Sequence, residues 1–303
     1  MKSARPVPSD RLMVIMARGG FGAAGGRMIA LVKIKQDEFQ RIVAYMRDNY
    51  GINLSQKQTL VEGRLWSVIQ KHGFKTLNEY FEYVMNDKTG EEAKTLITRL
   101  TTNYTYFMRE EQHYNFLTGR VLPELTPRLR EKDLRIWSAG CSSGEEPYTT
   151  AMVLDDYFGK SKQEWDCKVL ATDISPQVLQ MAKEAVYPEE RLKNLPPEWK
   201  RRYFEKIKGT DSFHVRPEIQ HEVIFRSFNL MERTFPFRRK FHVIFCRNVM
   251  IYFEKETRDA LVERYYDVLE PGGYLFIGLS ETVSKTDTRF TFVQPSIYKK
   301  GAL

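Results

Sequence analysis

From Lys35 onward apolar residues recur with a helical period: Phe39, Ile42, Val43 and Met46 fall at i, i+3, i+4 and i+7, and Gly51 in "NYGINL" breaks the run. The same reading predicts a second helix from about Ser55 to His72, stopped by Gly73, and a third over "LNEYFEYVMND". A fourth begins near Glu91 and leads into "LTTNYTYFMREEQHYNFLTGRVL". Residues 34–125 therefore read as a small all-α N-terminal domain, 126–133 as a Pro- and charge-rich linker, and 134–303 as a second domain. In that second domain the period changes. Short apolar strands ("LRIWSAG", "CKVLATDI", "VIFRSF", "FHVIFCRN", "GYLFIGL" and a last one near "FTFVQPSIYKK") alternate with helices such as "SPQVLQMAKEAV" and "KETRDALVERYYDVL". Such alternation predicts an α/β fold with a parallel sheet covered on both faces. Between about Pro197 and Phe225 the alternation lapses around turn residues, which predicts a small antiparallel β-subdomain at about 200–226. No internal repeat is visible.

Composition changes this picture little: 42% hydrophobic and 28% charged residues over 303 positions are ordinary for a globular chain. The net charge of +8 is less informative than its location. Residues 1–27 hold five basic residues and one acidic, so half of the excess sits in a leader, 1–33, expected to be disordered and solvated. That removes the charge argument for nucleic acid. The leader's one apolar run, "LMVIMA", is too short for a membrane span or a signal-peptide core. Cys141, Cys167 and Cys246 are odd in number and far apart, which excludes a disulfide framework or zinc spacing and fits a reducing cytoplasm.

In an open parallel sheet, ligands sit beyond the carboxyl ends of the strands, so the informative residues are Gly140 to Glu146, Asp173, Asn229 and Arg247-Asn248. The turn "GCSSGEE" is neither G-x-G-x-x-G nor a phosphate loop, and it carries two acids and no Lys or Arg. Ser142/Glu145 or Ser143/Glu146 could each form a capping box, which accounts for one carboxylate but not both. A spare carboxylate would attract a cationic ligand and repel a pyrophosphate, which points to S-adenosylmethionine. Asp173 suits two ribose hydroxyls, since a carboxylate accepts several hydrogen bonds; its residue type equally permits a helix N-cap before "SPQ".

Taken in order, "TTNYTYFMRE", "WSAGCSSGEEPYT", "ATDIS", "FNL", "FCRNVMIYF" and "PGGYLFIGLSE" resemble the bacterial chemotaxis receptor methyltransferases, the CheR family of protein-glutamate O-methyltransferases, from about Lys35 to Lys299. The resemblance implies a helical N-terminal domain, a Rossmann-like S-adenosylmethionine-dependent methyltransferase domain with a small β-subdomain, and methyl transfer to glutamates on the cytoplasmic helices of chemoreceptors. Carried over to this sequence, it implies that Asn103, Thr105 and Arg109 close over the cofactor, with Arg109 also steering the substrate carboxylate. It implies Glu146 as a cofactor contact, Asp173 on the ribose, Asn229-Leu230 beside the adenine, Arg247-Asn248 at the strand end, and Tyr252 next to the transferred methyl. Tyr252 could instead be plain core packing in "VMIYF". No metal, nucleic acid or direct membrane insertion is implied, the product would be S-adenosyl-L-homocysteine, and a cytoplasmic monomer is expected.

A glutamate carboxylate, with a reference pKa of about 4.3, needs no general base, so the chemistry reduces to positioning and exclusion of water. Cys246 reads as a buried strand-end thiol rather than a nucleophile. His113, His214, His221 and His242, which show no ligand spacing, read as surface or structural residues. Arg64, Lys57 and Lys71 could face an acidic receptor helix or form a solvated face, and the second helix is less basic than in enteric family members. The "KIKGTDSFHVRPEI" excursion is shorter than in members that grip a receptor's C-terminal peptide, so direct recognition of the methylation region is expected instead. Two other classes use the same fold: a nucleic-acid methyltransferase, disfavoured because "RNVMIY" stands where Asn/Asp-Pro-Pro-aromatic is needed, and a non-catalytic S-adenosylmethionine-binding signalling module.

Overall fold

Four amphipathic helices open the chain in the computed structural model, which describes residues 34–284 and 288–302. The expected leader, 1–33, lies outside the described residues. Helix α1 (Gln36–Tyr50) buries Phe39, Ile42, Val43 and Met46, the positions picked out by the period, and ends at Gly51 (φ 71°), where the Gly51 amide donates to Arg47 O (2.9 Å) and the Ile52 amide to Met46 O (3.2 Å). Helices α2 (Gln58–Lys71), α3 (Leu77–Asn86) and α4 (Glu91–Leu100) complete one core, in which Phe39, Met46, Leu65, Tyr80 and Leu96 are almost fully enclosed.

The helical text does not stay in this domain as far as residue 125. After an irregular stretch, α5 (Gln112–Phe116) runs through a wide π turn (Leu117–Val121) into α6 (Leu122–Leu125). Its buried Tyr114, Leu117, Val121 and Leu122 share a core with Ile136, Val243, Phe245 and Phe276 of the sheet. Periodicity shows that a helix has an apolar face but not which neighbour covers it.

The sheet is built from β1 (Ile136–Ala139), then α7 (Glu145–Phe158), β2 (Val169–Asp173) and α8 (Pro176–Glu184). The small subdomain follows with β3 (Val186–Pro188), α9 (Pro197–Tyr203), β4 (Phe204–Lys206), β5 (Ser212–Val215) and α10 (Pro217–Gln220). The main sheet resumes with β6 (Val223–Ser227), β7 (Phe241–Cys246), α11 (Lys255–Val268), β8 (Leu269–Ile277), β9 (Thr291–Gln294) and β10 (Ile297–Lys299). Seven strands lie in the order β6-β2-β1-β7-β8-β10-β9; the first five are mutually parallel and the last two antiparallel. The single last strand expected near "FTFVQPSIYKK" is thus a hairpin, turned at Ser296 (φ 64°).

Both sheet faces are covered, which is why the strands are apolar throughout. Ile136, Val243, Phe245, Tyr274 and Phe276 point into the core with α5, α6 and α7, while Trp137, Ile244, Cys246, Leu275 and Ile277 meet α11 on the other side. The antiparallel subdomain, ordered β3-β5-β4, spans 186–215 rather than 200–226. Its first strand follows directly on α8, which stops at Ala185 (φ 55°), and "VIFRS" pairs with β2 in the main sheet. Three-residue strands are too short for an alternating pattern to register. Chain order reverses between β2 and β7 on either side of β1, so a crevice opens beyond the carboxyl ends of these three strands.

Candidate active site

A pocket of about 1020 Å³ occupies that crevice, and all ten nominated residues line it: Asn103, Thr105, Arg109, Glu146, Asp173, Asn229, Leu230, Arg247, Asn248 and Tyr252. Its floor is the turn after β1. Gly140 adopts φ 89°, and a Cβ there would stand 2.4 Å from Val249 Cγ2, so glycine is required on both counts. The Gly140 and Cys141 amides donate to Thr172 O at 2.8 and 2.9 Å, tying the turn to β2.

Neither capping box forms. The N-cap of α7 is Gly144, in the left-handed region, which places both serines ahead of the cap. Ser142 Oγ donates instead to Asn103 O (2.9 Å), and Ser143 Oγ to Glu145 Oε2 (2.7 Å). Of the two glutamates only Glu146 faces the pocket. Glu145 is fully buried, lies outside the pocket lining and pairs with Arg191; burial, opposed by Ser143 and Arg191, pushes its carboxyl upward. Glu146 faces the pocket, accepts from Ser138 Oγ (2.6 Å) and sits 3.2 Å from Arg247 Nη1. Burial raises its pKa too, against Arg247 and Ser138.

Asp173 ends β2, with Oδ2 accepting from the Ser142 amide (2.8 Å) and Oδ1 from the Ser175 amide (3.0 Å). Burial raises its pKa against these donors. Ser175 occupies the N-cap of α8, so Asp173 is not the cap that its residue type permitted. On the next rim, Asn229 accepts from the Met231 amide (3.0 Å) and reaches across to the helical domain, donating to Asn49 O (2.8 Å), with Leu230 buried beside it.

Arg247 is the hub, with only 1% of its side chain exposed. It donates to Glu110 Oε2 (3.2 Å), Tyr114 Oη (3.1 Å), Glu146 Oε2 (3.2 Å) and Arg109 O. Asn248, at φ 59°, donates its amide to Glu281 Oε2 (2.8 Å) and Nδ2 to Glu110 Oε1 (3.3 Å), while its Oδ1 is enclosed without a hydrogen-bond partner among the described residues. Thr105 O receives Arg191 Nη1 at 3.3 Å, and Asn103 Nδ2 donates to Thr101 Oγ1 at 3.3 Å. Tyr252 lines the pocket and packs against the helical domain's core, and its carbonyl accepts from the Asn53 amide (2.8 Å). Arg109 donates to Tyr104 O (2.7 Å), and among the described residues no carboxylate stands within ion-pair distance of it.

Several contributors were not singled out from the sequence. Glu110 joins the ends of β7 and β8, accepting from Arg247, Asn248 and the Leu279 amide (3.2 Å); burial, which raises its pKa, is outweighed by Arg247 and these donors, and the net shift is downward. Glu281 holds the amides of Asn248 (2.8 Å), Gly278 (2.6 Å) and Ile251 (3.1 Å). Both acids lie inside quoted motifs, in "FMRE" and "GLSE", but their partners 30 or more residues away leave no period to read. Tyr50 and Ile52 bring the helical domain into the wall. Arg64 is partly buried, holding the carbonyls of Leu100 (3.0 Å) and Thr101 (2.8 Å) at the end of α4; Lys57 and Lys71 are exposed. The Cys246 thiol is buried and its pKa pushed well up by burial, as an inert strand-end residue requires. His113 is buried too, bonded to Ser296 Oγ (2.7 Å), with Nδ1 3.4 Å from Glu110.

Two family models cover almost all of the described chain: the all-alpha domain of CheR methyltransferase over residues 37–101, and its SAM-binding domain over 103–299. The chain belongs to the CheR methyltransferase family. It is 42% identical over 274 residues to the chemotaxis protein methyltransferase of Borreliella burgdorferi, covering 89% of this chain and 96% of that one. With the Escherichia coli chemotaxis protein methyltransferase it shares 34% over 275 residues (90% and 93%), and with chemotaxis protein methyltransferase 1 of Pseudomonas aeruginosa 36% over 265 (86% and 95%). In this CheR chain the two family domains meet just after α4, where the structure passes from the four-helix core to the segment that lines the pocket. The lining fits S-adenosylmethionine: it offers the carboxylates of Glu146 and Asp173 and the unpartnered Asn248 Oδ1, and no lysine. Glu110 and Glu281 stand just behind it, so four carboxylates oppose the two guanidiniums of Arg109 and Arg247. Among the described residues no helix is long and apolar enough to cross a membrane.

Proposed function

We propose that this chemotaxis methyltransferase esterifies glutamate side chains on the cytoplasmic helical domain of methyl-accepting chemoreceptors, with Arg109 and Tyr252 at the reacting end of the pocket. The observation that carries the reading is the division of charge within one pocket. Glu146 and Asp173 form an anionic part suited to a cationic donor, while Arg109, lacking a carboxylate partner, is suited to an anionic acceptor. When bound, S-adenosylmethionine supplies an electrophilic methyl group carried on a sulfonium.

The residues of the chain bind and align. Each Asp173 oxygen accepts one backbone N–H, and a carboxylate offers about four lone-pair sites, so capacity remains for two ribose hydroxyls. Asn229 and Leu230 flank the adenine, while Asn103, Thr105 and the Arg247-Asn248 pair close the amino-acid end with Glu146. Arg109 orients the acceptor carboxylate, Tyr252 stands beside the reacting atoms, and Tyr50, Ile52 and Phe253 exclude water. No base is needed, because a glutamate is ionised at neutral pH, its pKa being about 4.3. The acceptor oxygen forms the new bond to the methyl carbon as the carbon–sulfur bond breaks with its electrons to sulfur. Products are a glutamate methyl ester and S-adenosyl-L-homocysteine. We further propose that the protein acts as a monomer and recognises the methylated helices directly, without a receptor C-terminal peptide.

Incubation with methyl-labelled S-adenosylmethionine and a receptor cytoplasmic fragment tests this. Base-labile label mapped to glutamate is expected. Base-stable label in nucleic acid, or binding of the cofactor with no transfer to any receptor, would overturn it, and micromolar binding of a receptor C-terminal peptide would overturn the direct mode.

A further inference from the structure

Arg109 is held in an unusual way for a cation at a pocket lined by carboxylates. Its guanidinium carbon lies 5.8 Å from the ring centroid of Tyr104 and 5.8 Å from that of Tyr106, and the two rings stand 5.8 Å apart at 58°. Tyr104 is 72% exposed, Tyr106 is partly exposed, and neither ring belongs to a hydrophobic core among the described residues. Packing therefore does not account for either ring. The backbone around them is pinned: Asn103 O accepts from Ser142 Oγ (2.9 Å), Thr105 O from Arg191 (3.3 Å), the Met108 amide donates to Thr149 Oγ1 (3.2 Å), and Arg109 O accepts from Arg247.

We infer that Tyr104 and Tyr106 are positioning residues for the methyl acceptor, an aromatic cradle that presents the Arg109 guanidinium at the mouth of the pocket for an incoming side-chain carboxylate. The inference rests on the reading of Arg109 as the group that receives that carboxylate. Its physical basis is a difference between two ways of holding a cation. A protein carboxylate would occupy the in-plane N–H donors and compete with the substrate. An aromatic face attracts the charge through its quadrupole and leaves those donors free. Among the described residues only one, on Nη1, is used, by Tyr104 O, so the remaining donors can meet a carboxylate in the paired geometry that guanidinium favours. The exposed face of Tyr104 then lies where the aliphatic stem of a glutamate enters.

The test compares steady-state methyl transfer to a receptor cytoplasmic fragment by R109A, by Y104A/Y106A and by Y104F/Y106F, together with calorimetric affinity for S-adenosylmethionine. Two lost cation–π contacts are expected to raise the acceptor KM about 10-fold in Y104A/Y106A, with kcat and cofactor affinity within about 2-fold of the parent. Y104F/Y106F, which keeps both rings, should recover the parent KM. If R109A transfers methyl as the parent does, the reading of Arg109 falls and the cradle with it. If R109A is impaired but Y104A/Y106A keeps the parent KM, the cradle alone is overturned. Loss of cofactor affinity in Y104A/Y106A, or no recovery in Y104F/Y106F, would overturn it equally, by assigning the rings to the cofactor pocket or the role to their hydroxyls.

Discussion

Arg247 shows how much one residue can hold. Its buried guanidinium neutralises Glu110 and Glu146, donates to Tyr114 and fixes the carbonyl of Arg109, joining β7, α5, α7 and the pocket-lining segment. Removing one partner of a buried ion cluster leaves the others uncompensated, so Arg247→Met should lose about 3–5 kcal/mol in urea unfolding. A loss below about 1 kcal/mol would mean that the cluster is hydrated and loosely coupled. Arg109→Ala and Tyr252→Phe should behave in the opposite way. Each is expected to lower methyl transfer about 100-fold, the scale of a misplaced reactant, with the urea midpoint unchanged; normal turnover in both would remove them from the site. At this scale legibility was uneven. Glu146 and Asp173 were visible as pocket residues because they follow strand ends, whereas Glu110 and Glu281 mostly hold groups 30 or more residues away, and the role of Glu145 depends on Arg191, 46 residues on.

The turn from β1 to α7 is the element on which the pocket rests, and its backbone leaves little freedom. Gly140 combines a left-handed φ with a 2.4 Å approach of any Cβ to Val249, itself a pocket residue. Gly140→Ala should therefore cost about 1–3 kcal/mol of stability and weaken S-adenosylmethionine binding at least about 10-fold, measured by urea unfolding and calorimetry. Unchanged affinity would show that the turn is not part of the cofactor floor. The strand-turn-helix order was legible from apolar runs bounded by glycine. The capping scheme was not, because S-x-x-E fits two registers and the one adopted places Gly144 at the cap. The short β3 and the final hairpin escaped for the related reason that three or four residues carry no period.

At the scale of the whole molecule the pocket belongs to both domains. Helix α1 and the turn after it reach the second domain through Asn229 Nδ2 to Asn49 O (2.8 Å), Asn53 Nδ2 to Glu254 Oε1 (3.1 Å) and a bridge between Ile52 and Phe253. The substitution Asn53→Ala should speed release of S-adenosylmethionine about 5-fold in stopped-flow displacement, the lost hydrogen bond to Glu254 contributing on the order of 1 kcal/mol. An unchanged rate would mean that this wall does not gate the pocket. Acid should act on the molecule as a whole through two buried histidines. Burial and Arg247 depress His113 to about 4 against the pull of Glu110, and burial and Arg135 depress His242 to about 4 against Glu270. Unfolded, both titrate near 6.5, so the unfolded chain binds the extra protons. Their contribution is complete above about 6.5, is lost as pH falls from there toward 4, and changes no further below. Urea midpoints at three pH values across that window should fall by an amount worth a few kcal/mol.

What the sequence determined by itself was whatever depends on neighbours along the chain: helical and strand periods, the glycine turn after β1, and the strand-end positions that line the pocket. Family motifs then named the chemistry. What only the tertiary structure decided was pairing at a distance: which core covers α5 and α6, which arginine answers each glutamate, that Arg64 holds the carbonyls at the end of α4, and that the helical domain supplies a wall of the pocket. The reason is physical. Local steric and apolar patterns repeat with a period and can be read in a line, whereas burial of charge is settled by whichever partner the folded chain brings within about 3 Å, and no period encodes that distance.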